Sequence, residues 1–305
     1  MILAVDAGPF EQSLLLLPAL RALRNARAGA YVLAASATGT CELLLASGLV
    51  QETVDLGLLA ESSAFGGAAA LKLFRHVRRL PIDLFIDFNP TLGTQLFARI
   101  LLRAKTIAAI TPADVIDALT GRSHLGRRVR GRYSATLSLL GVSTGELRID
   151  APLRDEDNDR FERFLKDSGF KGAEPIAFFY SRGGYWRPSK ARWSAEMFAD
   201  LSTRLLNNFG VRTIVADEPG GRWFTDACAQ LLPKGAIRLA TPSALQLVAG
   251  IARSTVVVTD SRAATLIASE LGAPVVDPSG RTVEKVHDAV SEELGSSRSE
   301  SLFKR

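Results

Sequence analysis

Ile2-Leu3-Ala4-Val5-Asp6-Ala7-Gly8-Pro9-Phe10-Glu11-Gln12-Ser13-Leu14-Leu15-Leu16-Leu17-Pro18 opens the chain with an apolar run, a break and a second apolar run. Four consecutive leucines near an N-terminus invite an export signal. No basic segment precedes them, Asp6 and Glu11 stand ahead of them, and Pro18 closes the run, so the stretch does not fit one. Strand, turn, helix fits better. Four apolar residues in a row suit a strand buried on both faces, as in a parallel sheet. Gly8 and Pro9 punctuate a turn. Residues 13–25 then read as a helix and 30–35 as the next strand.

The alternation continues outward. Residues 40–47, 68–79, 93–103 and 134–140 read as helices, and 52–55, 83–88 and 106–110 as strands. The Gly- and Arg-rich segment 121–133 reads as a loop. Around 149–159 the chain turns polar, with Pro152 and an Asp/Glu cluster, which marks a domain junction. A second series follows, with strands at 176–180, 211–216, 236–239, 255–259 and 274–277. Its helices fall at 194–207, 223–231, 243–252, 263–271 and 283–294, ahead of a frayed tail. Short apolar strands between helices predict an α/β protein of two Rossmann-like parallel-sheet domains, 1–155 and 156–305. Helix 283–294 is placed to pack back on the first domain. Such sheets bind ligands at the carboxyl ends of their strands, and the cleft where two such domains face each other is the default site.

Composition agrees. The chain has 305 residues, about two domains at roughly 150 residues each. With 47% hydrophobic and 23% charged residues and a mean hydropathy of +0.13, it is neither disordered nor fibrous. No uncharged apolar run is long enough to span a bilayer. Two cysteines, Cys41 and Cys228, make no disulfide framework and point to a reducing compartment. Three scattered histidines argue against structural zinc. The net charge is +5, and Leu71 to Arg132 holds twelve Lys/Arg against four Asp. That local field favours an anionic partner, and Arg122, Arg127, Arg128 and Arg130 are candidates to meet an acidic acceptor or acidic headgroups. A solvated basic surface is the competing reading. Aromatics do not interleave with these arginines, so nucleic acid is not the expected partner. No GxGxxG accompanies the βα units, which disfavours a nicotinamide cofactor.

Several segments resemble glycosyltransferase family 9, the ADP-heptose:lipopolysaccharide heptosyltransferases of GT-B fold. They are Leu17-Pro18-Ala19-Leu20-Arg21-Ala22-Leu23, Asp83-Leu84-Phe85-Ile86-Asp87-Phe88, and Tyr133 to Val142 with Leu139-Leu140-Gly141-Val142. In the second half they are Lys190 to Phe198 with Arg192-Trp193, Asp260-Ser261, and Leu271-Gly272-Ala273-Pro274-Val275. The resemblance implies an inverting transfer, without metal or cofactor, from a nucleotide-diphosphate sugar to a hydroxyl of an anionic, lipopolysaccharide-type glycolipid acceptor. It implies a cytoplasmic enzyme, with contact to the inner membrane as a further expectation. The reaction needs a base for the acceptor hydroxyl, positive groups or amides for the leaving diphosphate, and exclusion of water.

The chain departs from the family's pattern where the chemistry is expected. The position of the family's base, six before Pro18, is Gln12, which cannot accept a proton; Glu11 beside it takes the role, or activity is altered or lost. Glu11 as an acid favouring a helix start is the structural alternative. In the donor loop Asp260 and Ser261 remain, while Arg262 replaces Gly and Thr265 replaces His. Arg262 either adds a charge-assisted phosphate contact or blocks a close backbone approach. Arg182, Arg187, Lys190 and Arg192 are candidates for the diphosphate, with Ala191 where the family carries Lys. Asp217 and Glu218 stand where nucleoside contacts are usual. The alternatives are transfer of a different sugar, or a non-catalytic relative that binds nucleotide or glycan.

Overall fold

The computed structural model describes residues 1–57, 67–102, 105–109, 125–143, 148–172, 174–181, 193–219 and 221–303. The chain divides into two units, Met1–Ala151 and Pro152–Arg305. In the first, strands β1 (Ile2–Val5), β2 (Val32–Ser36), β3 (Glu52–Asp55), β4 (Leu84–Asp87) and β5 (Thr106–Ala109) form one parallel sheet in the order β3-β2-β1-β4-β5. In the second, β6 (Ile176–Tyr180), β7 (Arg212–Ala216), β8 (Ile237–Leu239), β9 (Val256–Thr259) and β10 (Val275–Val276) form another, in the order β10-β9-β6-β7-β8. Each unit lays its first strand centrally, adds two toward one edge and then two toward the other. The strand order therefore reverses between β1 and β4, and again between β6 and β9. This is the α/β fold of two Rossmann-like units expected from the sequence.

The helices cover the apolar strands. In the first unit these are α1 (Phe10–Ser13), α2 (Leu16–Ala26), α3 (Thr38–Ala46), α4 (Gly67–Val77), α5 (Leu92–Leu96) and α6 (Leu125–Ser138). A π-helix, Phe97–Leu102, continues α5. Pro18 falls in the first turn of α2, where a missing N–H breaks no helical bond. In the second unit they are α7 (Asp155–Asp167), α8 (Ala195–Phe209), α9 (Trp223–Cys228), α10 (Ala244–Arg253), α11 (Arg262–Leu271) and α12 (Val283–Phe303). Gly250 of α10 lets that helix close on the sheet: a Cβ there would lie 2.5 Å from the Phe178 ring and 3.1 Å from Phe161. The helix expected at 283–294 packs on α8, β9 and β10 of its own unit, where Val286, Val290 and Leu294 join the core.

Two local expectations are corrected, and the domain junction is sharpened. The segment 121–133, read as a loop, is helical from Leu125. Leu125, Val129, Tyr133 and Leu137 recur every fourth residue, and arginine is a good helix former, so an apolar stripe overrides the glycines. Within the junction read at 149–159 the units divide between Ala151 and Pro152, and the polar stretch from Asp155 already begins α7. Asp155, Glu156 and Asp157 suit a helix N-terminus, and Phe161 and Leu165 bury its inner face. The tail expected to fray continues as helix to Phe303.

Candidate functional site

At the first reversal of strand order, β1 ends against Asp6 and β4 ends in Asp87. Both carboxylates are fully buried. The Gly8 N–H donates to Asp6 Oδ1 at 2.8 Å. A Cβ on Gly8 would meet that oxygen at 2.9 Å and Asn89 Nδ2 at 3.1 Å, so any larger residue must push these two side chains aside. The turn then enters α1, which carries Glu11 and Gln12. Tyr133 of α6, stacked on Phe88 with ring centroids 5.1 Å apart, donates its hydroxyl to Asp6 Oδ2 and lies 3.0 Å from the Gln12 carbonyl oxygen. Asp87 accepts from the Thr94 hydroxyl and, at 3.1 Å, from the Asn89 N–H. Thr94 belongs to the capping box that starts α5. Arg132 donates through Nη1 to Asn89 Oδ1 at 2.8 Å, while its buried Nε and Nη2 have no acceptor among the described residues.

Burial dominates the electrostatics here. It pushes Asp6 above the usual carboxylate range, against the lowering effects of the Tyr133 hydroxyl, the Arg132 charge and the Gly8 amide. It raises Asp87 to about 7, with Asp6 adding a like-charge push. Tyr133 is held well above its ordinary value, so its hydroxyl is protonated. One hydroxyl hydrogen serves one acceptor at a time. With Asp6 ionised, Tyr133 satisfies either the carboxylate or the Gln12 carbonyl. With Asp6 protonated, the carboxyl donates to the tyrosine oxygen and the tyrosine to Gln12, and both contacts are filled. The cluster fixes the turn that presents Glu11 and Gln12. Its carboxylates are too buried to meet a substrate directly. Glu11 and Gln12 are half-buried on α1.

At the second reversal, β6 leads into Ser181 and β9 into Asp260. Ser181 Oγ donates to Asp260 Oδ1 at 3.1 Å, joining the two strand ends. Ser261 caps α11, accepting from the Ala264 N–H at 3.4 Å, and its own N–H donates to Thr259 Oγ1 at 2.9 Å. Arg262 is the first residue of α11, and the Thr265 hydroxyl donates to the Ser261 carbonyl at 2.9 Å. Asp260, Ser261, Arg262 and Thr265 therefore gather at one helix start beside the reversal, with amides and dipole suited to an anion.

Asp217 has a different task. Buried at the end of β7, it accepts from the amides of Phe224 at 2.8 Å and Thr225 at 3.0 Å and from the Thr225 hydroxyl at 2.6 Å. This carboxylate starts α9. The Glu218 carbonyl accepts from the Gly221 N–H at 2.8 Å. Arg182, Arg187, Lys190, Arg192 and Arg122 lie outside the described residues. Arg127, Arg128 and Arg130 lie on α6, with side chains outside the described set. Asp6, Asp87, Arg132, Tyr133 and Ser181 were absent from the expected site. For Asp6, Asp87 and Ser181 the signal was an acid or serine at or directly after the end of a buried strand; Arg132 and Tyr133 reach the site from α6 and carried no such mark.

Burial pushes the thiols of Cys41 and Cys228 up to about 12, so neither is a thiolate at neutral pH. Among the described residues no group of three or more His, Cys, Asp and Glu is arranged to hold a metal. No described helix is long and apolar enough to cross a membrane.

No protein-family model and no curated protein matches the chain. Solved structures do. The glycosyl transferase family 9 protein from Veillonella parvula DSM 2008 is 16% identical, with a TM-score of 0.64 over 90% of this chain and 80% of that one. ADP-heptose lps heptosyltransferase II of E. coli is 14% identical, with a TM-score of 0.63 over 97% of this chain and 99% of that one. E. coli heptosyltransferase WaaC, solved with ADP-2-deoxy-2-fluoro heptose, is 15% identical, with the same TM-score and coverage. At these identities the likeness shows the fold.

Proposed function

We propose that this chain is a glycosyltransferase that moves a heptose-like sugar from a nucleotide-diphosphate donor to an anionic glycolipid acceptor, with inversion and without a metal. The observation that carries the reading is the helix start at Asp260-Ser261-Arg262. It lies at the carboxyl end of β9, next to the reversal of strand order where such sheets bind their ligands. Likeness to solved heptosyltransferases supports it.

In this reading the second unit holds the donor. The amides opening α11, Arg262 and the cations Arg182, Arg187, Lys190 and Arg192 stabilise the diphosphate as it leaves. Asp217 acts by capping α9, which leaves Glu218 for the nucleoside. The first unit holds the acceptor, with Arg122, Arg127, Arg128 and Arg130 toward its acidic groups. Glu11 takes the proton from the acceptor hydroxyl as its oxygen attacks the anomeric carbon, and Gln12 supplies its carbonyl to the Tyr133 contact. The bond to the nucleoside diphosphate breaks as the new glycosidic bond forms on the opposite face.

Glu11→Gln tests this. The variant should keep its affinity for the nucleoside diphosphate and lose transfer by roughly 10²–10⁴-fold, the usual contribution of a general base. Equal transfer by both proteins would remove Glu11 from the role. A second reading, a binder without chemistry, draws on Gln12 at the expected base position. It predicts nucleotide binding and no transfer by the unaltered chain.

A further inference from the structure

One guanidinium in the first unit is held in place but not satisfied. Arg132 of α6 donates through Nη1 to Asn89 Oδ1 at 2.8 Å. Its Nε and Nη2 are buried and have no acceptor among the described residues. Those two nitrogens share one edge of the planar group. Their N–H bonds run parallel and form the fork that grips two oxygens of a carboxylate or a phosphate.

The fork is fixed before any ligand arrives. The Asn89 N–H donates to Asp87 Oδ1 at 3.1 Å, and the Thr94 hydroxyl donates to the other oxygen of the same carboxylate. Tyr133, the next residue along α6, is anchored to Asp6 and stacked on Phe88. The guanidinium is therefore held at Nη1, and the helix that carries it is tied to the strand ends. A donor pair ordered in advance gives up little freedom on binding.

The neighbouring carboxyl groups do not fill the fork. Arg132 acts on Asp6 and Asp87 through its charge and bonds to neither. Asp6 is committed to the Gly8 N–H and Tyr133, and Asp87 to Thr94 and Asn89. Burial pushes both acids toward their neutral forms, which makes them poor counter-ions. A buried cation with two idle donors is unfavourable, and one two-oxygen anion corrects both faults. The location agrees. Asn89 lies two residues beyond the end of β4, at the reversal of strand order where such sheets take their ligands.

We propose that Arg132 binds an oxyanion through its Nε–Nη2 edge at the carboxyl end of the first sheet. The ligand is a carboxylate or a phosphate group with two oxygens to offer. A neutral sugar or an unphosphorylated nucleoside has no such pair. The site is separate from the start of α11, and it stands whether or not the transferase reading holds.

NMR of the full chain with nitrogen-15-labelled arginine tests it, in titrations with inorganic phosphate and with acetate. The Arg132 Nε–H signal is the one missing from Arg132→Lys and Arg132→Gln. It should move saturably with at least one of the two anions, and the one that binds tells a phosphate source from a carboxylate source. Arg262→Ala should show the same movement, which separates this site from α11. In the Arg262→Ala background, Arg132→Lys keeps the charge and loses the fork. Thermal stabilisation by the same anion should then require about tenfold more of it, as loss of a charge-assisted contact does. The titration of the wild type stands even where a variant folds poorly. An Arg132 signal that ignores both anions, or moves without saturating, would overturn the proposal. So would equal stabilisation with and without the Lys substitution.

Discussion

The Tyr133 hydroxyl meets the Asp6 carboxylate across 127 residues of chain, both side chains buried at the carboxyl end of the first sheet. This contact ties α6 to the turn after β1. It joins the Glu11–Gln12 turn to a pair of carboxyl groups whose charge is suppressed by burial.

Tyr133→Phe keeps the ring stacked on Phe88 and removes the donor. A buried oxygen left without its partner costs about 1–3 kcal/mol. Urea denaturation followed by fluorescence should show a loss of that size. Unchanged stability would mean that the hydroxyl is dispensable.

Gly8→Ala places a methyl group 2.9 Å from Asp6 Oδ1 and 3.1 Å from Asn89 Nδ2. Overpacking of this kind costs roughly 1–3 kcal/mol. The same denaturation experiment reads it, and a neutral result would show that the turn relaxes freely.

Asp87 controls a pH dependence. Its folded-state pKa of about 7 lies above the ordinary carboxylate value of 3.8 because burial disfavours the charge. Between those values the folded chain holds a proton that the unfolded chain has released. Its contribution to stability is therefore complete below about pH 4 and is lost as pH rises toward and through 7. Asp6 is shifted in the same direction. Thermal unfolding measured across pH 4 to 8 in Asp87→Asn, set against wild type, should show a weaker decline with rising pH. Parallel curves would exclude Asp87 as the cause.

Asp217 and Arg262 separate structure from binding. Asp217→Ala removes the acceptor for two amides and a hydroxyl at the start of α9 and should destabilise by about 1–2 kcal/mol, with nucleoside diphosphate affinity little changed. Arg262→Ala should leave stability nearly intact and weaken that affinity about tenfold or more, as loss of a charge-assisted contact does. Calorimetric titration of both variants checks the contrast. The reverse pattern would exchange their roles.

The parts of this fold that were legible in the sequence are those set by local rules. Ile2-Leu3-Ala4-Val5 and Ile176-Ala177-Phe178-Phe179-Tyr180 are buried on both faces, so each reads as an unbroken apolar run. Asp260 and Ser261 were legible because a strand ending next to a helix start is local in sequence. Helix α6 was obscured by Gly126 and Gly131, although Leu125, Val129, Tyr133 and Leu137 recur at the four-residue spacing of an apolar stripe. The Asp6–Tyr133 contact depends on where α6 packs against the end of β1. That adjacency is tertiary, and the spacing of the residues along the chain does not encode it. Asp217 shows the converse: an acid after a strand suggested a ligand, and its three hydrogen bonds serve the next helix.

In the proposed function the second unit binds a nucleoside diphosphate at the start of α11. Thermal unfolding of the full chain with ADP, UDP, GDP and dTDP in turn decides this. One of them should stabilise the protein saturably, by about 2.7 kcal/mol at a hundredfold excess over its Kd. No stabilisation by any of the four would mean that the start of α11 holds no nucleoside diphosphate.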